Sequence, residues 1–285
     1  MTRIACAQLA PELGAFAENC ARSEAAVADA VADGARLVVL PELVTSGYVF
    51  ESVAEAASLA ITPEHPVFQR WHAALGGTDG VVVGGFCEHG ADGRLYNSAA
   101  LVDAAGLRAV YRKTHLWDRE KLFFTPGDAL PPVLDTSVGA VGVLICYDQE
   151  FPELTRSIVL AGADLLAIPT NWPLTDYPAD EHPPEVLIAM VTARTNRVAV
   201  AVCDRSGTER GVRWAEGTSV IDQNGVRVAT ARGVATALAE VDLTLSRDKR
   251  ITEHNDVLAD RRPELYAAVS DERAGPARAA RPRPS

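Results

Sequence analysis

Residues 34–42 read Gly34-Ala35-Arg36-Leu37-Val38-Val39-Leu40-Pro41-Glu42. The run 36–40 is of strand length and apolar without alternation after Arg36, the pattern of a strand buried on both faces. Upstream, Phe16, Cys20, Val27 and Val31 fall at offsets 0, 4, 11 and 15, one face of a 3.6-residue period. That predicts a helix from Phe16 to about Asp33, stopped by Gly34. Pro41 ends the strand, and Glu42 emerges just beyond its carboxyl end. The same syntax returns 128 residues later (34 to 162, 41 to 169). Residues 151–163 predict a helix with Leu154, Ile158 and Ala161 on one face, followed by a strand at 164–168 and Pro169. Gly34-Ala35-x-Leu37-x-x-x-Pro41 matches Gly162-Ala163-x-Leu165-x-x-x-Pro169 without a gap. Two explanations stand: a chance match of small residues, or two helix–strand halves related by pseudo-symmetry.

Further strands are predicted at 3–9, 81–86, 98–102, 107–111, 140–146, 198–203, 218–222, 226–230 and 236–242. Asn224-Gly225 sits between two of them, a strong hairpin signal. Helices are predicted at 63–75 and 184–197. Hairpins mixed with strand–helix units fit a mixed two-sheet α/β core with helices outside better than one parallel sheet. No Pro/Gly-rich linker interrupts the chain before about residue 272. The reading is therefore one domain over 1–271 and a flexible or partner-clasping tail over 272–285, rich in Ala, Arg and Pro.

Composition narrows the function. Over 285 residues, 27 basic side chains face 38 acidic ones, a net charge of −11 that argues against nucleic acid as the main partner. No apolar run approaches the roughly 18 residues of a membrane helix, and the first residues lack the pattern of a secretory signal. The five cysteines include no CxxC pair, and no HExxH or HxH spacing exists, so neither a disulfide framework nor a metal site is expected. A soluble, cytoplasmic protein without nucleic-acid or membrane partners is the expectation.

Three residues at strand ends carry the chemistry. Cys146 follows the run 142–145 and precedes Tyr147-Asp148-Gln149-Glu150, at the end of a strand where open α/β sheets place ligands. The amide-rich start of the next helix would stabilise thiolate and oxyanion there. Cys6, Cys20, Cys87 and Cys203 sit in apolar or small-residue surroundings and read as inert. A cysteine nucleophile needs a base. His115 is the choice of a Cys–His reading, although nothing local separates it from a structural histidine. Glu42, partly desolvated behind a buried strand, is the other choice. Lys113 follows a strand and would favour thiolate or an oxyanion. Alone, Glu42 reads as a solvated loop acid, Lys113 as a surface cation and Cys146 as a buried apolar cysteine. Together they form a Glu–Lys–Cys set.

The motifs resemble the nitrilase superfamily of carbon–nitrogen hydrolases over about residues 3–266. The matching blocks are Gly34 to Glu42 with Gly47-Tyr48, Tyr96-Asn97-Ser98, Lys113-Thr114-His115-Leu116 with Glu120, Gly142 to Asp148 with Phe151-Pro152-Glu153, and Arg262 to Tyr266. The resemblance implies a four-layer αββα sandwich of two mixed sheets flanked by helices. It implies Glu42 as general base, Lys113 as electrostatic stabiliser, Cys146 as nucleophile and Glu120 as the group orienting the lysine and substrate. The backbone N–H of Tyr147 would complete the oxyanion site. Tyr48, Trp117, Asn171 and Trp172 follow the catalytic strand ends, and two readings are open for the aromatics, lining of the substrate pocket or outer-core packing. Neither metal nor organic cofactor is expected. The partners implied are a small amide or carbamoyl substrate and further copies of the chain, as a homodimer or higher homo-oligomer. Thr192-Ala193-Arg194-Thr195-Asn196 departs from the family's Arg-Ala-x-Glu-Asn pattern. Cys146-Tyr147-Asp148 is similar to the amidase and carbamoylase branches, where nitrilases carry Cys-Trp-Glu. Hydrolysis of an amide or N-carbamoyl compound through a thioester is therefore expected, with nitrile hydrolysis or a non-catalytic scaffold as alternatives. The loop 204–216, with Arg205, Arg210 and Arg213, is open to two readings, a grip on an acidic substrate tail or a solvated surface loop.

Overall fold

A run apolar on both faces must be covered on both sides, and this requirement organises the chain. The computed structural model describes residues 1–178 and 181–271. The expected C-terminal tail, 272–285, lies outside them. In the first half, β1 (Thr2–Ala7), α1 (Phe16–Ala32), β2 (Leu37–Val39), α2 (Val53–Ser58), α3 (Pro66–Ala74) and β3 (Val81–His89) follow in order, then the antiparallel β4 (Leu95–Asp103) and β5 (Gly106–Arg112). The second half holds β6 (Val133–Thr136), β7 (Gly139–Val143), α4 (Pro152–Leu160), β8 (Leu165–Pro169), α5 (Pro184–Asn196) and β9 (Ala199–Cys203). A small ribbon of β10 (Thr208–Glu209) and β11 (Val212–Arg213) precedes β12 (Ser219–Ile221), β13 (Arg227–Thr230) and β14 (Thr236–Val241). A second ribbon, β15 (Arg250–Thr252) with β16 (Asn255–Asp256), and a short helix α6 (Ala267–Ser270) close the described chain.

Two six-stranded mixed sheets result, in the orders β14-β1-β2-β3-β4-β5 and β13-β12-β9-β8-β7-β6. In the first, β1, β2 and β3 are parallel, with Leu37 beside both Ile4 and Val81; in the second, β7, β8 and β9 are parallel, with Leu165 beside both Val141 and Ala199. Each parallel trio is flanked by one antiparallel strand on one side and an antiparallel pair on the other. The two halves therefore share one topology, and Leu37 and Leu165, matched in sequence, open the central strand of each trio. The match is pseudo-symmetry rather than chance.

Alternation sorts the layers. Ile4, Cys6, Leu37, Val39, Val81 and Val83 join the core shared with the second sheet, while Ala5, Val38 and Val82 pack beneath α1 and α3 against Cys20, Val27, Phe68 and Trp71. On the far side, Ile158 of α4 and Val186, Ala189 and Ala193 of α5 cover the second sheet. This is the four-layer αββα arrangement, with β1 and β3 of one sheet lying against β9 and β8 of the other. Among the described residues no helix is long and apolar enough to cross a membrane.

The predicted elements differ from the observed ones near the site. The strand expected over 140–146 ends at Val143; Leu144 still donates its N–H to Ala167 O at 3.1 Å, but a 3-10 turn starts at Cys146. That turn, not a helix, presents its amides at the strand end, and α4 begins only at Pro152. Residues 133–136, short and half-buried at a sheet edge, carry too weak a pattern to announce a strand.

At the end of β2 the chain passes close to β3, with Gly85 N–H donating to Pro41 O at 3.0 Å and Val44 N–H to Gly85 O at 3.0 Å. A Cβ on Gly85 would meet the backbone N of Leu43 and lie 2.6 Å from Glu42 Cα. Gly85→Ala is thus expected to lower stability by about 1–3 kcal/mol, as overpacking does. Thermal denaturation checks this, and an unchanged Tm would contradict the close approach.

Candidate active site

Four strand ends meet at one edge of the sandwich. Strand β2 delivers Glu42, β5 delivers Lys113, β7 leads through Leu144-Ile145 to Cys146, and β8 leads through Thr170 to Asn171. The two repeated runs therefore touch at their ends: Asn171 Nδ2 donates to the backbone carbonyl of Glu42 at 2.9 Å, while Asn171 O stands 3.9 Å from Cys146 Sγ.

Lys113 is fully buried, and its Nζ lies 2.8 Å from Glu42 Oε1 and 2.8 Å from Glu120 Oε1. Asn97 Nδ2 donates to Glu42 Oε1 at 2.7 Å, whereas the buried Glu42 Oε2 has no protein partner. Glu120 is held at both oxygens, by the Tyr48 hydroxyl at 2.6 Å and by the Trp117 N–H at 3.1 Å. Two carboxylates around one ammonium leave a surplus negative charge out of water. Burial, partly offset by Lys113, pushes the Glu42 carboxyl up to about 7. Burial and the Glu42 charge push the Cys146 thiol up, with Lys113 acting against them. Lys113 is disfavoured as a cation by burial, but Glu120 and Glu42 more than restore it, so it stays charged. The set can accept a proton at Glu42 Oε2 and stabilise negative charge at Lys113.

The backbone around the set is strained. Among the described residues six non-glycines have positive φ, and three of them lie here: Leu43 (49°) directly after Glu42, Asp118 (38°) two residues before Glu120, and Cys146 itself (48°). Such conformations cost on the order of 1–3 kcal/mol each and persist where surrounding contacts dictate them. At Cys146 those contacts centre on Asp148. This buried carboxylate accepts from Ile145 N–H (3.1 Å) and Tyr111 OH (2.8 Å) at one oxygen, and from Thr114 OH (3.1 Å), His115 N–H (3.0 Å) and His115 Nδ1–H (2.9 Å) at the other. It ties the turn bearing the thiol to the loop directly after Lys113. The His115 ring stacks on Phe151 with centroids 3.6 Å apart, so its role is structural. Nothing in the pattern Cys146-Tyr147-Asp148 alone distinguishes this anchor from a surface acid.

The other expected pocket residues are placed unevenly. Tyr147 N–H lies in the first turn of the 3-10 segment, where donors lack internal acceptors. The Trp117 ring is 40% exposed and packs edge-on to Tyr147 at 4.9 Å. The Tyr48 hydroxyl is turned to Glu120 rather than free. The Trp172 indole is buried beside Gly217, where a Cβ would come within 2.8 Å of its ring, and the Trp172 backbone N–H donates to Asp204 Oδ1 at 3.0 Å. Asp204 also accepts from the N–H groups of Arg205 and Gly217, and burial pushes its carboxyl up to about 7. Neither reading of the loop 204–216 fits the whole of it: Arg205 is buried, whereas Arg210 is paired with Glu55 at 2.6 Å and Arg213 is exposed. Among the described residues no group of three or more His, Cys, Asp and Glu side chains is arranged to hold a metal ion.

A model of the carbon–nitrogen hydrolase family matches residues 3–250. Among curated proteins, a nitrilase of Pyrococcus abyssi is 37% identical over 270 residues, covering 93% of this chain and 99% of its own. An (R)-stereoselective amidase of a Pseudomonas species is 35% identical over 262 residues, covering 91% of each chain. Among solved structures, an amidase from Nesterenkonia sp. AN1, carrying acrylamide added at its active-site cysteine, superposes with a TM-score of 0.75 at 24% identity, covering 94% of this chain and 99% of its own. That likeness speaks to the fold.

The anchor makes a prediction. In Asp148→Asn an NH2 group would replace one of two oxygens that face only donors. Leaving buried donors unmatched costs about 1–3 kcal/mol, so the midpoint of urea denaturation should fall accordingly. A midpoint equal to that of the wild type would show that Asp148 does not hold the turn.

Proposed function

Because the chain belongs to the carbon–nitrogen hydrolase family, we propose that it hydrolyses a small amide or N-carbamoyl compound through Cys146, releasing ammonia. As a family member it is a hydrolase acting on C–N bonds; the substrate class and the roles below are our reading. One observation carries it: a buried ammonium is bridged by two carboxylates, one of which keeps an oxygen free of protein donors beside a buried thiol.

In this reading Glu42 Oε2 takes the Cys146 proton as the sulfur attacks the carbonyl carbon. The C=O electrons move onto oxygen, and the oxyanion rests between Lys113 Nζ and the N–H of Tyr147. The tetrahedral centre collapses as the C–N bond breaks, and protonated Glu42 passes its proton to the departing nitrogen, which leaves as ammonia. Glu42, ionised again, deprotonates a water that attacks the thioester, and the thiol is restored as the acid leaves. Glu120 and Asn97 act on Lys113 and Glu42, holding their charges in place. The pattern Cys146-Tyr147-Asp148 supports the amide side. The nitrile side has the Pyrococcus abyssi relative in its favour, and hydrolysis of a nitrile would use the same thiol.

Ammonia release from a panel of amides, N-carbamoyl compounds and nitriles decides among these. Cys146→Ser and Glu42→Gln are expected to fold, with unchanged circular dichroism, and to lose nearly all turnover; full activity in either ends the assignment. A pH profile gives a second check. Glu42 must be ionised to act as base, and its carboxyl is half-protonated at about pH 7. Thus kcat/KM should rise about tenfold per unit below pH 7 and level off above it. Asp204 titrates in the same range but lies outside the proton path. Asp204→Asn should therefore leave the midpoint where it is, and a midpoint that moves with Asp204 would take the ascending limb away from Glu42.

A further inference from the structure

The described chemistry leaves one buried ion pair unused. Arg205, just after β9, and Glu209, the last residue of β10, have side chains only 2% and 5% exposed, and Arg205 Nη1 donates to Glu209 Oε2 at 3.0 Å. The other guanidinium contacts fix Arg205 in place: Nη2 donates to Pro11 O at 2.5 Å, and the group lies over the Trp214 ring at 4.5 Å. Glu209 in turn grips the loop following Glu42. Its Oε1 accepts two successive backbone N–H groups, Tyr48 at 2.9 Å and Val49 at 2.6 Å, from 161 and 160 residues away. The approach is close enough that a Cβ on Gly47, whose φ is +85°, would lie 2.8 Å from Glu209 Oε2. The Tyr48 ring stands edge-on to Trp214 at 5.6 Å. Backbone and ring are thus both fixed by the second half of the chain, leaving the hydroxyl one direction, 2.6 Å from Glu120 Oε1.

We propose that Glu209, seated by Arg205, is a positioning residue for the reaction: it aims the Tyr48 hydroxyl at Glu120 and so sets how much negative charge Glu120 presents to Lys113 and Cys146. Tyr48 then belongs to the charge balance of the site rather than to the substrate pocket. The inference rests on the proposed role of Cys146, but it is read through the thiol itself. Without the Tyr48 donor, Glu120 carries a less compensated charge, and thiolate at Cys146 becomes harder to form. Glu209→Ala frees the loop and reaches the same end by another route.

The test is the rate at which iodoacetamide alkylates Cys146 in the full chain, the sulfur displacing iodide, followed by peptide mass spectrometry. Tyr48→Phe and Glu209→Ala should each slow it about tenfold or more, the scale of one lost hydrogen bond to a charged group. The double variant should be no slower than the slower single one, because both remove the same bond. Glu209→Gln keeps an oxygen for the two amides but strands Arg205. It should match Glu209→Ala in lowered Tm yet lie between it and the wild type in rate. Multiplying effects in the double variant overturn the proposal, as does a Glu209→Ala chain of wild-type reactivity, or a Glu209→Gln rate that merely follows Tm. Should Glu209→Ala not fold, Tyr48→Phe and Glu209→Gln with their double variant complete the same comparison. Alkylation needs no amide turnover: a reactive Cys146 in a wild type that hydrolyses nothing would defeat the hydrolase reading and leave the clamp standing.

Discussion

A single ammonium enclosed between two carboxylates out of contact with water is the constraint from which the rest of the site follows. Lys113 cannot be removed from solvent at tolerable cost unless its charge is matched and its protons are taken. Glu42 and Glu120 do both at 2.8 Å, but they overshoot by one negative charge. The excess has consequences that need no substrate. Together with burial, which is the larger cause, it pushes the Glu42 carboxyl up to about 7 against the pull of Lys113, where it can both accept and give up a proton, and it pushes the Cys146 thiol up. Donors that lower the excess, the Asn97 amide, the Tyr48 hydroxyl and the Trp117 N–H, come from three separate loops or strands.

Holding such an arrangement requires loops more rigid than their exposure to the sheet edge would suggest. Each loop is tied by a buried acid. Asp148 binds the thiol turn to the segment after Lys113, Asp204 binds the Asn171–Trp172 turn, and Glu209 binds the segment after Glu42. Each acid accepts backbone N–H groups, which ties main chain rather than flexible side chains. At Cys146 the positive φ sits in the turn that Asp148 holds through the Ile145 N–H. The pseudo-symmetry supplies the opportunity, since two copies of one strand–helix unit packed face to face bring their strand ends to a common edge.

These levels of order differ in how far the sequence reveals them. Strand β2 and its counterpart β8 are legible because burial on both faces demands a continuous apolar run, and Gly34 and Gly162 mark the turns before them. Glu42 and Cys146 are legible by position, one residue past a proline and at the close of an apolar run. Glu120 is not: in Trp117-Asp118-Arg119-Glu120-Lys121 it looks like any surface acid, and only resemblance singled it out. Asp148, Asp204 and Glu209 escape for a related reason. A carboxylate in a polar loop carries no local mark of burial, and its partners lie as far as 161 residues away. Arg205 illustrates the failure most plainly, since a loop with three arginines suggests solvent, yet this one lies against an indole in the interior. Periodicity reports which face of an element is covered, not which loop acid is trapped when two halves close.

The charge surplus also bears on why one carboxylate would suffice for a two-step reaction. In the proposed cycle the cluster begins with one excess negative charge on Glu42. Proton transfer from Cys146 moves that charge to sulfur, attack moves it to the carbonyl oxygen beside Lys113, and departure of ammonia returns it to Glu42. At no stage does a second uncompensated charge enter a region from which water is excluded, where it would cost several kcal/mol. A neutral base such as histidine would generate an ion pair at the first step and need a separate counter-charge. In the proposed cycle the Glu–Lys–Glu arrangement would instead carry its counter-charge from the start and only relocate it, and in that reading the burial of Lys113 would serve the reaction rather than be only a cost of folding.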